Sequence, residues 1–173
     1  TTGFVDNVIT AGTNGASVLL GAGNDNIGFT ATASKTSTVK LGAGDDKLLL
    51  KAAGAVAGAT YVFGEAGNDT IKINNASLTT SDLIDGGEGT DTLVIDNNAA
   101  NQMVLRGVEK LTLTNTAIAA NVINSADSAI AVTVEAGKAA VATDASITGL
   151  TSGSTVTVND SKGQTTGVKD LKV

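Results

Sequence analysis

The chain has no cysteine, histidine, proline or tryptophan, and its 173 residues include only three Phe and one Tyr. Without cysteine there is neither a disulfide framework nor a thiolate nucleophile, a state compatible with an extracellular protein. Without histidine the commonest general base and the commonest zinc ligand are missing, so paired carboxylates are the acid–base groups that remain. The longest apolar runs fall far short of the ~20 residues that a membrane-spanning helix needs. Basic residues are also scarce: 11 Lys and Arg against 17 Asp and Glu leave a formal charge of -6, which disfavours a nucleic-acid partner and favours a cation.

The apolar fraction of 42% is nearly all Ala, Val, Leu and Ile, a composition suited to a thin core of aliphatic ladders. Glycine, at 21 residues, is abundant and recurs in a pattern. Gly21-Ala22-Gly23-Asn24-Asp25-Asn26-Ile27 is repeated as Gly42-Ala43-Gly44-Asp45-Asp46-Lys47-Leu48, Glu65-Ala66-Gly67-Asn68-Asp69-Thr70-Ile71 and Gly87-Glu88-Gly89-Thr90-Asp91-Thr92-Leu93. The aspartates at 25, 46, 69 and 91 stand 21, 23 and 22 residues apart. A fixed period of this size marks a solenoid.

Apolar and polar residues alternate on both sides of each turn. Ile27 and Phe29, Leu48 and Leu50, Ile71 and Ile73, and Leu93 and Ile95 follow the turns; Val18, Val39, Val62 and Ile84 precede them. A period of two is that of a strand with one buried face. The small or polar stretches Ala33 to Ser37, Ala53 to Ala59 and Asn75 to Ser81 supply the return reversals. One constant turn and one variable turn per unit predict parallel coils stacked at ~4.8 Å. The expected fold is therefore all-β, a parallel β-solenoid with coils of ~22 residues.

Asp6-Asn7-Val8 resembles Asp25-Asn26-Ile27 and is expected to begin a capping coil, with Gly12 to Gly15 as its return turn. After Asp91 the repeated turn disappears, but Met103 to Leu105, Lys110 to Thr114, Ala129 to Val134 and Thr155 to Val158 read as strands, with weaker candidates at Asn115 to Val122 and Thr143 to Thr148. Residues 1–96 are thus expected to form the repeat-bearing solenoid. Residues 97–173 continue it without such turns; the rival is a small antiparallel sandwich.

Glycine-rich turns can aim successive carbonyls at one place, and hard divalent cations want six to eight oxygens from carbonyls and carboxylates. Four stacked carboxylates repel one another and resist burial unless positive charge lies between them, and no lysine or arginine column supplies it. Asp45, Glu65, Asp85 and Glu88 add negative charge beside the same column, and Lys47 is the lone basic residue within the turns.

Gly86-Gly87-Glu88-Gly89-Thr90-Asp91-Thr92-Leu93 resembles the calcium-binding RTX nonapeptide repeat, Gly-Gly-x-Gly-x-Asp-x-apolar-x. The other copies keep the fourth-position glycine and the aspartate; Leu20, Leu41 and Glu65 replace one of the first two glycines. The resemblance implies about three Ca²⁺ ions, held between Asp25 and Asp46, Asp46 and Asp69, and Asp69 and Asp91. Carbonyls of Gly21, Gly23, Gly42, Gly44, Gly64, Gly67, Gly87 and Gly89 would complete the sites. The usual coil of that family is shorter and carries metal turns on both sides.

Composition and the segment Gly107-Val108-Glu109-Lys110-Leu111-Thr112-Leu113 make the chain most similar to RTX-type bacterial surface-layer proteins. That resemblance implies a secreted, non-enzymatic structural segment at the bacterial cell surface, exported through a type I machine. Its partners would be copies of itself in a lattice and, beyond them, cell-surface polysaccharide. Repeat modules of an RTX adhesin, or the C-terminal calcium domain of an RTX protease or lipase, are the alternatives. A start at Thr1 rather than Met fits a piece of something longer.

Overall fold

A computed structural model of the chain describes residues 7–10, 14–31, 35–52, 58–74, 78–96, 102–114, 121–125, 129–136 and 147–160. In chain order the strands are β1 (Asn7–Thr10), β2 (Ser17–Leu19), β3 (Asn26–Ala31), β4 (Ser37–Ala43), β5 (Lys47–Ala52), β6 (Thr60–Ala66), β7 (Thr70–Asn74), β8 (Leu83–Asp85), β9 (Thr92–Asp96), β10 (Gln102–Arg106), β11 (Lys110–Leu113), β12 (Asn121–Ser125), β13 (Ala131–Ala136), β14 (Ile147–Thr148) and β15 (Thr155–Asp160). The odd-numbered strands form one eight-stranded sheet and the even-numbered strands a seven-stranded one, each in chain order. All the pairings are parallel. A chain that visits two sheets in turn and advances one strand in each is a β-solenoid, the fold expected from the repeat. No helix occurs among the described residues.

Register gives the coil length. Ile27 is level with Leu48, Leu48 with Ile71 and Ile71 with Leu93, steps of 21, 23 and 22 residues. Both sheets run on past Asp96, where Leu93 is level with Leu111, Leu111 with Val132 and Val132 with Val156, steps of 18, 21 and 24.

The pleat sends alternate side chains inward, and the apolar residues on either side of each turn meet between the sheets. Ile27, Leu48, Ile71, Leu93 and Leu111 make one buried file, and Phe29, Leu50, Ile73, Ile95 and Leu113 the next. Val18, Val39, Val62, Ile84 and Leu105 face them from the other sheet. Each such side chain contributes roughly 1.5–3 kcal/mol by leaving water. Among the described residues Phe29 is the one aromatic in this core. A thin aliphatic core suffices because each coil is buried by its two neighbours.

One local expectation changes, and two others are met in their described residues. β1 joins the stack, but Asn7 is level with Ile27 and Ile9 with Phe29, one residue out of the register that Asp6-Asn7-Val8 suggested. That register lets Ile9 pack against the core cluster. The strand expected at Asn115 to Val122 meets β12 (Asn121–Ser125) at Asn121 and Val122, and there Ile123 lies level with Met103. The one at Thr143 to Thr148 is the two-residue β14; residues 115–120 and 143–146 lie outside the described residues. The chain changes sheet between β3 and β4, β5 and β6, and β7 and β8, over the stretches assigned to the return reversals, of which 32–34, 53–57 and 75–77 also lie outside the described residues.

Candidate functional site

The four Gly-x-Asp turns stack as one corner of the solenoid. Gly23, Gly44, Gly67 and Gly89 carry φ of 121°, 138°, 131° and 138°, a region that L-residues with a Cβ avoid. Space adds a second reason for glycine. A Cβ on Gly67 would lie 2.0 Å from the carbonyl oxygen of Gly44, and one on Gly89 equally close to that of Gly67. The glycine carbonyls of this corner thus aim at the α-carbon one coil on. Gly42, Glu65 and Gly87 form the neighbouring column. There Glu65, where the repeat departs from glycine, still adopts a glycine-like φ of 77° and pairs with Lys40 at 3.2 Å.

The aspartates lie next to these glycines and form a hydrogen-bonded ladder. The backbone N–H of Asp25 donates to Oδ1 of Asp46 (2.7 Å), that of Asp46 to Oδ1 of Asp69 (2.8 Å) and that of Asp69 to Oδ1 of Asp91 (2.7 Å). The N–H of Asp91 donates to Oε2 of Glu109 at 2.7 Å, so a glutamate extends the acidic column by one coil. At the next level Ile130 takes the place, and its N–H is held by the Ser154 hydroxyl at 3.0 Å. The N–H groups of Asp25, Asp46, Asp69, Asp91 and Ile130 are therefore capped by a side chain of the following coil, much as a helix N-cap side chain satisfies an orphan donor, whereas that of Glu109 turns back to the Asp91 carbonyl.

The second carboxylate oxygens have no such partner. Oδ2 of Asp46, Asp69 and Asp91 is buried without a hydrogen bond, and each of these residues is 1% exposed. A Cβ on Gly64 would meet Asp69 Oδ2 at 2.3 Å and the Gly86 carbonyl oxygen at 2.1 Å, and one on Gly86 would meet Asp91 Oδ2 at 2.6 Å and the Gly107 carbonyl oxygen at 2.1 Å. Acceptor oxygens thus crowd together with no donor between them. Burial pushes all three carboxyls above their ordinary value, Asp69 to about 6, with the backbone hydrogen bond opposing the shift and repulsion adding to it, from neighbouring aspartates at Asp46 and Asp69 and from Glu109 and Asp85 at Asp91.

An outer ladder runs beside the acidic one with opposite polarity. The N–H of Asp45 donates to Asn24 Oδ1 (2.9 Å), that of Asn68 to Asp45 Oδ1 (2.8 Å) and that of Thr90 to Asn68 Oδ1 (3.0 Å). Asp45-Asp46 and Asn68-Asp69 therefore tie their coils to the coils above and below. At the opposite corner Asp82 works likewise, accepting the Thr60 N–H at 2.5 Å and the Thr79 N–H at 2.6 Å.

All twelve expected site residues, Gly21, Gly23, Asp25, Gly42, Gly44, Asp46, Gly64, Gly67, Asp69, Gly87, Gly89 and Asp91, lie along this one corner of four successive coils. Asp25 heads the described column and is half-buried, whereas Asp46, Asp69 and Asp91 are interior. The Gly21 carbonyl accepts the Ala43 N–H at 3.0 Å. Among the described residues no three acidic side chains converge on one point, so a cation here would be held by one or two carboxylates and by carbonyls. No protein family, curated protein or solved structure matches this chain.

Glu109 escaped the sequence reading as a member of the column, although Gly107-Val108-Glu109 places an acid two residues after a glycine, as Gly89-Thr90-Asp91 does. Glu109→Ala is expected to cost about 1–2 kcal/mol in urea unfolding, because the Asp91 N–H loses its acceptor inside the corner. Glu109→Gln keeps the acceptor and is expected to stay within about 0.5 kcal/mol of the parent.

Proposed function

We propose that this chain is a non-catalytic, calcium-rigidified segment of an exported bacterial surface-layer protein, in which the acidic corner ties folding to calcium outside the cell. The observation that carries the reading is the set of buried, unpartnered Oδ2 atoms on Asp46, Asp69 and Asp91 at successive coils. Burying an ionised carboxylate without compensation costs several kcal/mol, and three stacked in one wall compound the cost. The surrounding donor set is all oxygen, carboxylate and carbonyl, which is the chemistry of a hard cation; the irregular corner suits calcium better than octahedral magnesium.

In this reading Asp46, Asp69 and Asp91 hold the ions with turn carbonyls, flanked by Asp25 and Glu109. Bound calcium supplies the positive charge that lets the acids stay ionised in the wall. A chain short of calcium stays loose enough for export, and calcium outside sets it. A corner of glycine, asparagine and aspartate without histidine or cysteine offers no nucleophile–base pair, which fits a structural part.

Far-UV circular dichroism melts at pH 7 with chelator, calcium or magnesium test the proposal. Calcium alone is expected to raise the midpoint, each saturated site adding about 2.7 kcal/mol at a hundredfold excess over Kd. An unchanged midpoint in calcium, or an equal rise in magnesium, rejects calcium as the ligand.

A further inference from the structure

The outer face of the seven-stranded sheet carries aromatic and aliphatic side chains where a solvated strand would show polar ones. Tyr61 is level with Leu83 and Leu83 with Val104, so three half-buried apolar side chains form one outward file, with Phe63 beside it on β6. The adjacent file runs Leu19, Lys40, Phe63, Asp85 and Arg106 in successive coils, so that an exposed arginine follows Asp85. The sole tyrosine of the chain and one of its three phenylalanines thus face outward, side by side. In a chain so poor in aromatics this is an unusual use of them, because Tyr and Phe are enriched at interface centres.

From this face we infer that two copies of the chain associate through the outer surface of the seven-stranded sheet, about a two-fold axis parallel to the strands and passing over Tyr61 and Phe63. The charge pattern selects both the occupant and the axis. Lys40 lies one coil before Phe63 and Asp85 one coil after it. Rotation about an axis along the strands reverses the coil order, so Lys40 of each copy lies over Asp85 of the other while the aromatic pair faces its own image. An axis across the strands would set Lys40 over an uncharged file instead. The face is self-complementary, as an isologous interface requires. Lys40 already sits 5.5 Å from the Phe63 ring centroid and 3.2 Å from Glu65, which orients its ammonium at the rim. Glu65 lies level with Phe63's own coil at the strand end, close to the axis, and its charge is balanced there by Lys40.

Sedimentation of the folded chain in calcium, with circular dichroism on the same samples, tests the interface separately from the cation reading: dichroism reports the solenoid, sedimentation the association. The parent chain is expected to dimerise at concentrations of about 10–100 µM, and Phe63→Ser to sediment as a folded monomer. Lys40→Glu and Asp85→Lys, each alone, are expected to weaken association at least about tenfold, and an equimolar mixture of the two to restore it, because both contacts then join opposite charges. A folded parent that stays monomeric over this range overturns the proposal, as does a Phe63→Ser chain that dimerises like the parent or a mixture no tighter than its components.

Discussion

Asp69→Asn is expected to stabilise the chelated protein at pH 7 and to lower the stabilisation that calcium gives. Asparagine matches the carboxylate in shape and keeps an Oδ1 acceptor for the Asp46 N–H. It also places an amide donor where Asp69 Oδ2 crowds the Gly86 carbonyl, and removes a charge that burial disfavours. The shift of this carboxyl from 3.8 to about 6 corresponds to about 3 kcal/mol, an upper bound for the gain.

The same shift fixes a pH dependence. Between 3.8 and about 6 the folded chain holds more protons at Asp69 than the unfolded chain, so stability without metal falls as pH rises through that window. Asp46 and Asp91, raised by the same burial, add to the slope. Asp96, held below its ordinary value by the hydrogen bond from Lys72, opposes it only at the acid end. Urea unfolding in chelator at pH 5 and pH 7 should therefore give the larger free energy at pH 5, with the difference reduced in Asp69→Asn. Equal stability at the two pH values would mean that the column carries no ionisation strain.

Gly67→Ala is the substitution expected to damage the fold most. Its methyl group would lie 2.0 Å from the Gly44 carbonyl oxygen, at a φ of 131°. The atom struck is backbone, held by the coil stack on both sides, so relief requires parting two coils. The clash and the unfavourable φ together should cost at least about 3 kcal/mol in urea unfolding. Gly21→Ala is the control. A Cβ there meets nothing within 4 Å and the backbone is not in the left-handed region, so a change below about 0.5 kcal/mol is expected. If the two substitutions cost the same, close coil approach does not explain the repeat's glycines.

Much of this architecture is legible in the sequence because solenoid coils repeat both chemistry and spacing. Val39, Val62 and Ile84 could be assigned to one buried file from their fixed distance to a turn glycine, and register follows once two turns are aligned. The legibility ends where repetition does. The shift of β1 against β3 sets Ile9 rather than Thr10 level with Phe29, a choice that no motif specifies. No motif fixes the register of residues 121–125 either, where Ile123 lies level with Met103.

Within the corner, the sequence points to the aspartates but not to how their oxygens divide. One oxygen of Asp46, Asp69 and Asp91 binds a backbone donor of the preceding coil, and only the geometry separates it from its unpartnered twin. Asn24 and Asn68 resemble ordinary turn formers until their bonds across coils are seen.

The corner bonds also bear on how long such a protein can be. Since Asp46 does for Asp25 what Asp69 does for Asp46, excising residues 46 to 68 would bring Asp69 over Asp25 with every class of contact kept. Gene duplication or loss in whole windings leaves no seam, whereas an insertion of a few residues in this corner breaks the file. Such a rod can be lengthened or shortened over evolutionary time without redesign, its span set by the number of windings.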